Sequence, residues 1–122
     1  GGLVVHFQRG AADGLHMVAP YRDKRYQQLR GVLALQEPGK GEESTIDLGN
    51  GFAFHPALAS LHTYYKKGQL AVVHNVGSTD PTRSHFDAQD YMESGTPGRK
   101  ATRDGWLTRV IDALDRFGRH QH

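Results

Sequence analysis

The chain has 122 residues, no cysteine and a formal net charge of +2. It fits within one domain, and both a disulfide scaffold and a zinc site built on thiolates are excluded. Leu, Ile, Val and Phe supply 26 of the 122 residues, about 21%, barely above the roughly 20% associated with disorder, so the core must be thin.

The longest aliphatic runs, Val32 to Leu35 and Leu70 to Val73, are four residues each against the roughly 20 of a membrane span. A soluble chain without a membrane span is expected. Charge is uneven: residues 1–98 carry a net of −1 and residues 99–122 a net of +3. Arg99, Lys100 and Arg103 form neither a long run nor an alternation with aromatics, so nucleic acid is not an expected partner. Gly1-Gly2-Leu3 leads straight into a strand-like segment, and no secretory signal is visible.

In chain order, Leu3 to Phe7 reads as a buried strand that delivers Asp13 in the loop Gly10 to Gly14. Pro20 to Arg30 is partly helical, with Tyr21, Tyr26 and Leu29 as its apolar members, and Val32 to Leu35 is a second short strand. Glu37 to Glu43, dense in Pro, Gly and charge, is a loop. Asn50-Gly51 is a turn signal joining Thr45 to Leu48 with Phe52 to Phe54 in a small hairpin. Pro56 opens a helix with Leu58, Leu61 and Tyr65 on one face and Gly68 as its stop. Leu70 to Val76, nearly all apolar, suits a strand covered on both sides. A turn over Gly77 to Pro81 and a helix over Ser84 to Glu93 follow.

The last helix, from about Asp104 to Phe117, gathers Trp106, Leu107, Val110, Ile111, Leu114 and Phe117 on one face, which must pack on something. Residues 118–122 form a polar tail. Strand-turn-helix units in alternation predict an α/β class over residues 1–117 with a partial parallel or mixed sheet and flanking helices. Ligands of such sheets gather at the carboxyl ends of the strands, where Asp13 and the turn before Ser84 would both emerge.

Ser84 opens a helix, where outward N–H groups and the helix dipole favour an anion. Its hydroxyl would need a base or a metal to act as a nucleophile. Arg83 adds a cation, and His85 a ligand or base. Ser84 with Asp87 three residues on is equally a helix cap that needs no ligand, and spacing alone favours the cap. Asp13 before Gly14 is likewise either a turn former or one hard oxygen ligand, short of the three or four a metal requires. The remaining histidines show no tight ligand pairing. Neither a dinucleotide fingerprint, a P-loop lysine nor a G-x-S-x-G elbow is present.

The segments Leu3-Val-Val-His-Phe-Gln-Arg-Gly-Ala-Ala-Asp-Gly-Leu15, His55-Pro-Ala-Leu, Gly68-Gln-Leu-Ala-Val-Val-His and Asp104-Gly-Trp-Leu accompany a more specific one, Pro81-Thr-Arg-Ser-His-Phe-Asp-Ala-Gln-Asp-Tyr. In this succession, from about Leu3 to Leu114, the chain resembles the bacterial domain-of-unknown-function family 1501. That family is placed with the alkaline phosphatase and sulfatase superfamily, and its members commonly carry an export signal. The resemblance implies an alkaline-phosphatase-like fold and a metal-dependent phosphate or sulfate ester hydrolase acting on a small anionic ester. By order along the chain it implies Ser84 as nucleophile, assisted by His85 and Arg83, Asp13 as ligand of a divalent metal, and a periplasmic or exported location. Superfamily domains are several times longer and draw their other ligands from the second half. The resemblance therefore implies an N-terminal portion with an incomplete site, expected to be inactive alone, and uncovered apolar surface is expected to favour a homo-oligomer. The alternative is a noncatalytic exported anion-binding or assembly module that keeps the scaffold and uses the helix start at Ser84 for an anion.

Overall fold

The computed structural model describes residues 1–120. They divide into two compact units, residues 12–73 and residues 1–11 with 74 onward. Helices and a three-stranded sheet are present, so the α/β class holds in its coarse form, but the sheet is antiparallel throughout.

The unit over residues 12–73 holds the whole sheet. Helix α1 (Gly14–Met17) runs into β1 (Val18–Ala19), α2 (Lys24–Arg30) follows, and β2 (Ile46–Asp47) and β3 (Ala53–Phe54) form the hairpin that Asn50-Gly51 predicts. Strand order is β1-β3-β2, with Val18 opposite Phe54 and Ile46 opposite Phe54 on the other side. A parallel pair requires a crossover of a dozen or more residues, whereas β2 and β3 are joined by a tight turn closed by the Leu48 N–H on the Phe52 carbonyl at 2.9 Å. Local turn chemistry therefore sets the strand direction.

Phe54, 2% exposed, is the centre of this unit's core, with Ala19, Tyr26, Leu48 and Ala53 also buried. Burying a side chain of that size contributes about 2 to 3 kcal/mol. Tyr65 meets Phe54 edge-on at 5.9 Å between ring centroids. The Tyr26 hydroxyl accepts the Leu35 N–H at 2.9 Å, and buried Thr45 donates its hydroxyl to the Gln36 carbonyl at 2.7 Å. These bonds tie the loop after α2 to the core without using apolar surface. Pro56–Leu58 forms a 3-10 turn that leads into α3 (Ala59–Lys66), and the chain leaves the helix at Lys67-Gly68 as expected.

The other unit is built on α4 (His85–Ser94) and α5 (Trp106–His120). Gly95 caps α4 in the left-handed region at φ 70°. The loop to α5 is held by the Arg109 guanidinium, which donates to Asp104 at 3.0 Å and to the Ser94 carbonyl. Hydroxyls link Ser94 to Thr96 at 3.0 Å and Thr96 to Thr102 at 2.6 Å. Tyr91 is the buried aromatic of this unit. Helix α5 continues past Phe117 through His120; residues 121–122 of the expected polar tail lie outside the described residues.

Three expected strands are not formed. Leu3 to Phe7 pairs with no sheet and is exposed, Val4 at 93%. Val32, within the 3-10 turn Gly31–Leu33, is fully exposed where a strand was expected. Leu70 to Val76 is irregular, and Asn75 at φ 57° interrupts any extended run. Each segment has apolar residues suited to burial, but a strand exists only where a partner completes its ladder, and the three-stranded sheet takes up none of the three. The apolar face of α5 is also uncovered, with Ile111, Leu114 and Phe117 each nearly two-thirds exposed.

Candidate functional site

The approach to α4 is a succession of side-chain caps. The Asp80 N–H donates to Ser78 Oγ at 3.1 Å, Thr82 N–H to Asp80 Oδ1 at 2.9 Å, and Ser84 N–H to Thr82 Oγ1 at 3.1 Å. The Asp87 N–H then donates to Ser84 Oγ at 3.3 Å. Ser, Thr and Asp favour such bonds to the backbone two or three residues on, so the sequence Ser78 to Ser84 shapes its own loop before any tertiary contact. Ser84 is the N-cap of α4, in extended backbone at φ −78°, ψ 119°. The cap reading of Ser84 and Asp87 holds.

Capping leaves chemistry at Ser84 open. Its Oγ accepts one long hydrogen bond and keeps its own hydrogen to donate, and Arg83, Ser84 and His85 are all exposed. Lys100 approaches Asp87 at 3.5 Å, compensating the acidic residue of the first turn. The helix end thus offers a hydroxyl, a guanidinium and the positive pole of a ten-residue helix to solvent. His85 shares a cavity of about 160 Å³ with Phe7, Ala88 and Met92, and among the described residues no hydrogen bond joins it to Ser84. A nucleophile and base pair of the kind acyl or phosphoryl transfer uses is not formed by these two side chains.

Asp13 lies in the other unit and has its own partners. It is the N-cap of α1, where its carbonyl accepts the His16 and Met17 N–H groups at 3.0 Å, while its carboxylate is paired with the Arg30 guanidinium. The Arg30 hydrogen bond holds the Asp13 carboxyl below the usual carboxylate range, against a desolvation that pushes it up. The Arg30 guanidinium bonds one oxygen of that carboxylate, Oδ2, so a cation at Asp13 would compete with Arg30 for it. Among the described residues no group of three or more His, Asp or Glu comes together as a metal site. Asp13 thus stands in an ion pair with Arg30, which a divalent metal would have to displace.

Arg30, its partner from the last turn of α2, was invisible to sequence reasoning because 17 residues of loop and helix separate the two. Arg9 was missed for the same reason: its Nε donates to Gln89 Oε1 at 2.8 Å and lies 3.6 Å from Glu93, fixing the N-terminal segment along α4. The basic residues Arg99, Lys100 and Arg103 line a cavity of about 370 Å³ with Asp90, Glu93 and Asp104. Their charge is balanced locally, unlike the single-sign surface on which phosphate backbones bind. No helix among the described residues is long and apolar enough to cross a membrane. In comparisons with known proteins, the chain matches no family model, no curated protein and no solved structure.

Proposed function

We propose that the chain is an anion-recognition element on a hydrolase-like scaffold, taking a phosphate or sulfate group at the N-terminus of α4 and performing no hydrolysis alone. The observation that carries this reading is Ser84 capping a ten-residue helix with its hydroxyl hydrogen undirected and the Arg83 guanidinium exposed beside it. A tetrahedral oxyanion suits this end: hydroxyl and N–H groups donate to its oxygens, and Arg83 supplies a planar cation. Isothermal titration with sulfate tests the reading. Saturable binding that weakens at least tenfold in Arg83→Ala supports it; equal binding by both proteins, or none by the parent, contradicts it.

The resemblance to the domain-of-unknown-function family 1501 supports a second reading, in which a longer protein containing this chain is a metal-dependent phosphate or sulfate ester hydrolase with Ser84 as nucleophile. The exposed hydroxyl at a helix start favours it, since such a group is accessible to an incoming ester. In that protein Asp13 would be one ligand of the divalent metal, once released from Arg30, and the remaining ligands would come from outside this chain. Ser84→Ala in the longer protein removes turnover of an aryl phosphate or aryl sulfate on this reading, and retained turnover refutes it. An exported location and self-association belong to the same proposal; the first rests on the resemblance and the second on the uncovered face of α5.

A further inference from the structure

His55 stands at a junction in the unit over residues 12–73. Its N–H donates to the Met17 carbonyl at the end of α1 at 2.8 Å, its carbonyl accepts the Leu58 N–H at 2.9 Å, and its Nδ1 accepts the Ala57 N–H at 2.9 Å. One residue therefore ends β3, anchors α1 and caps the 3-10 turn that starts α3. His16, from α1, lies against it with ring centroids 4.9 Å apart and planes at 46°.

The cap imposes a protonation state. An imidazole nitrogen accepts a hydrogen bond only while it carries no proton, so the Ala57 bond exists with His55 neutral at Nδ1. A histidinium would offer a hydrogen to the Ala57 N–H instead of a lone pair, and with His16 also charged the two adjacent rings would repel. Histidine changes charge between about pH 5 and 8, unlike the Ser, Asp and Thr caps elsewhere in the chain.

The surroundings supply no counter-charge to hold a protonated pair together. The elements α1, β1, β3 and the 3-10 turn contribute no titratable side chain besides His16. Asp13, which caps α1, is neutralised by Arg30. On β2, Asp47 is held by the Gly49 N–H and the Tyr21 hydroxyl and also feels His62 of α3. Helix α3 otherwise brings Tyr64, Tyr65 and Lys66, and among the described residues neither His16 nor His55 forms an ion pair.

We propose that His55, backed by His16, is a pH-sensitive latch. Neutral, it clasps the start of α3 to the end of α1; protonated, it releases the 3-10 turn and frees the entry to α3. Acidification thus loosens Pro56 to Ala59 locally, before the sheet itself is lost.

The test follows the Ala57 amide and the His55 ring nitrogens by NMR from pH 8 to 5. Exchange protection of Ala57, corrected for intrinsic rates, should fall about fivefold with the same midpoint as His55, the factor that matches a typical cap of about 1 kcal/mol. In His55→Asn, whose amide oxygen can accept the same bond without titrating, protection should stay level. His16→Gln should keep the fall but shrink it. If His55 titrates while Ala57 stays protected, if His55 does not titrate in this range, or if His55→Asn shows the same fall, the latch is refuted. The first two outcomes need only the parent protein, so the test survives a variant that fails to fold.

Discussion

Gly95→Ala should destabilise the unit that carries α4 far more than its single added methyl suggests. Gly95 sits at φ 70°, a conformation that costs an L-residue about 1 to 2 kcal/mol. A Cβ there would also lie 2.9 Å from Arg109 Nη2 and 3.0 Å from Trp106 Cβ. The guanidinium can swing away, but only by giving up its bond to the Ser94 carbonyl; Trp106 Cβ is fixed close to the backbone of α5. Losing a hydrogen bond to a charged group costs about 1.5 to 3 kcal/mol, so the total should reach about 2 to 4 kcal/mol after partial relaxation. Gly10→Ala is the control, with φ 85° and no neighbour within 4 Å, and should cost only the backbone strain of about 1 kcal/mol. Trp106 is the chain's one tryptophan and a direct neighbour of Gly95, so its fluorescence in a urea titration reports this unit. Equal midpoints for the two variants would refute the claim that close packing around Gly95 holds α4 to the start of α5.

Other perturbations act on single contacts. Phe54→Ala should cost about 3 to 5 kcal/mol and abolish the cooperative thermal transition of the sheet unit, because the ring is its fully buried side chain; a midpoint within a few degrees of the parent would mean that the core lies elsewhere. Ser84→Ala should lower helix stability by about 1 kcal/mol and expose the Asp87 amide to exchange, while Ser84→Asp should restore protection; unchanged exchange in the alanine variant would contradict the cap. Asp13 has its carboxyl held low by Arg30, so its contribution is present above the unfolded value near pH 4 and disappears as pH falls through the lower folded value. Denaturation of Asp13→Asn should accordingly differ from the parent at pH 6 and converge with it in strong acid; a gap that widens on acidification would refute the pairing.

What could be read from the sequence divides by the range of the forces involved. The Asn50-Gly51 hairpin, the helix opened by Pro56, the Ser84 cap and α5 were all legible, because turn residues, caps and a 3.6-residue apolar period act within a few positions. Leu3 to Phe7 and Leu70 to Val76 carry apolar runs of the kind that parallel strands bury, yet strand formation depends on a partner the local sequence does not name. The actual third strand, Val18–Ala19, is two residues long and lies between a one-turn helix and Pro20, too short for any period to show. At the candidate site the same division holds. Ser84 was placed by its immediate neighbours, while the partner of Asp13 is Arg30, a residue that enters only through the path of α2.

The most direct measurement is a sulfate titration followed by amide NMR shifts across the chain. Shifts that saturate and are largest at Ser84, His85, Phe86 and Asp87, and that vanish in Arg83→Ala, are the predicted result. Shifts spread over Arg99, Lys100 and Arg103 instead, or a response at α4 that survives removal of Arg83, would contradict anion recognition at the start of α4.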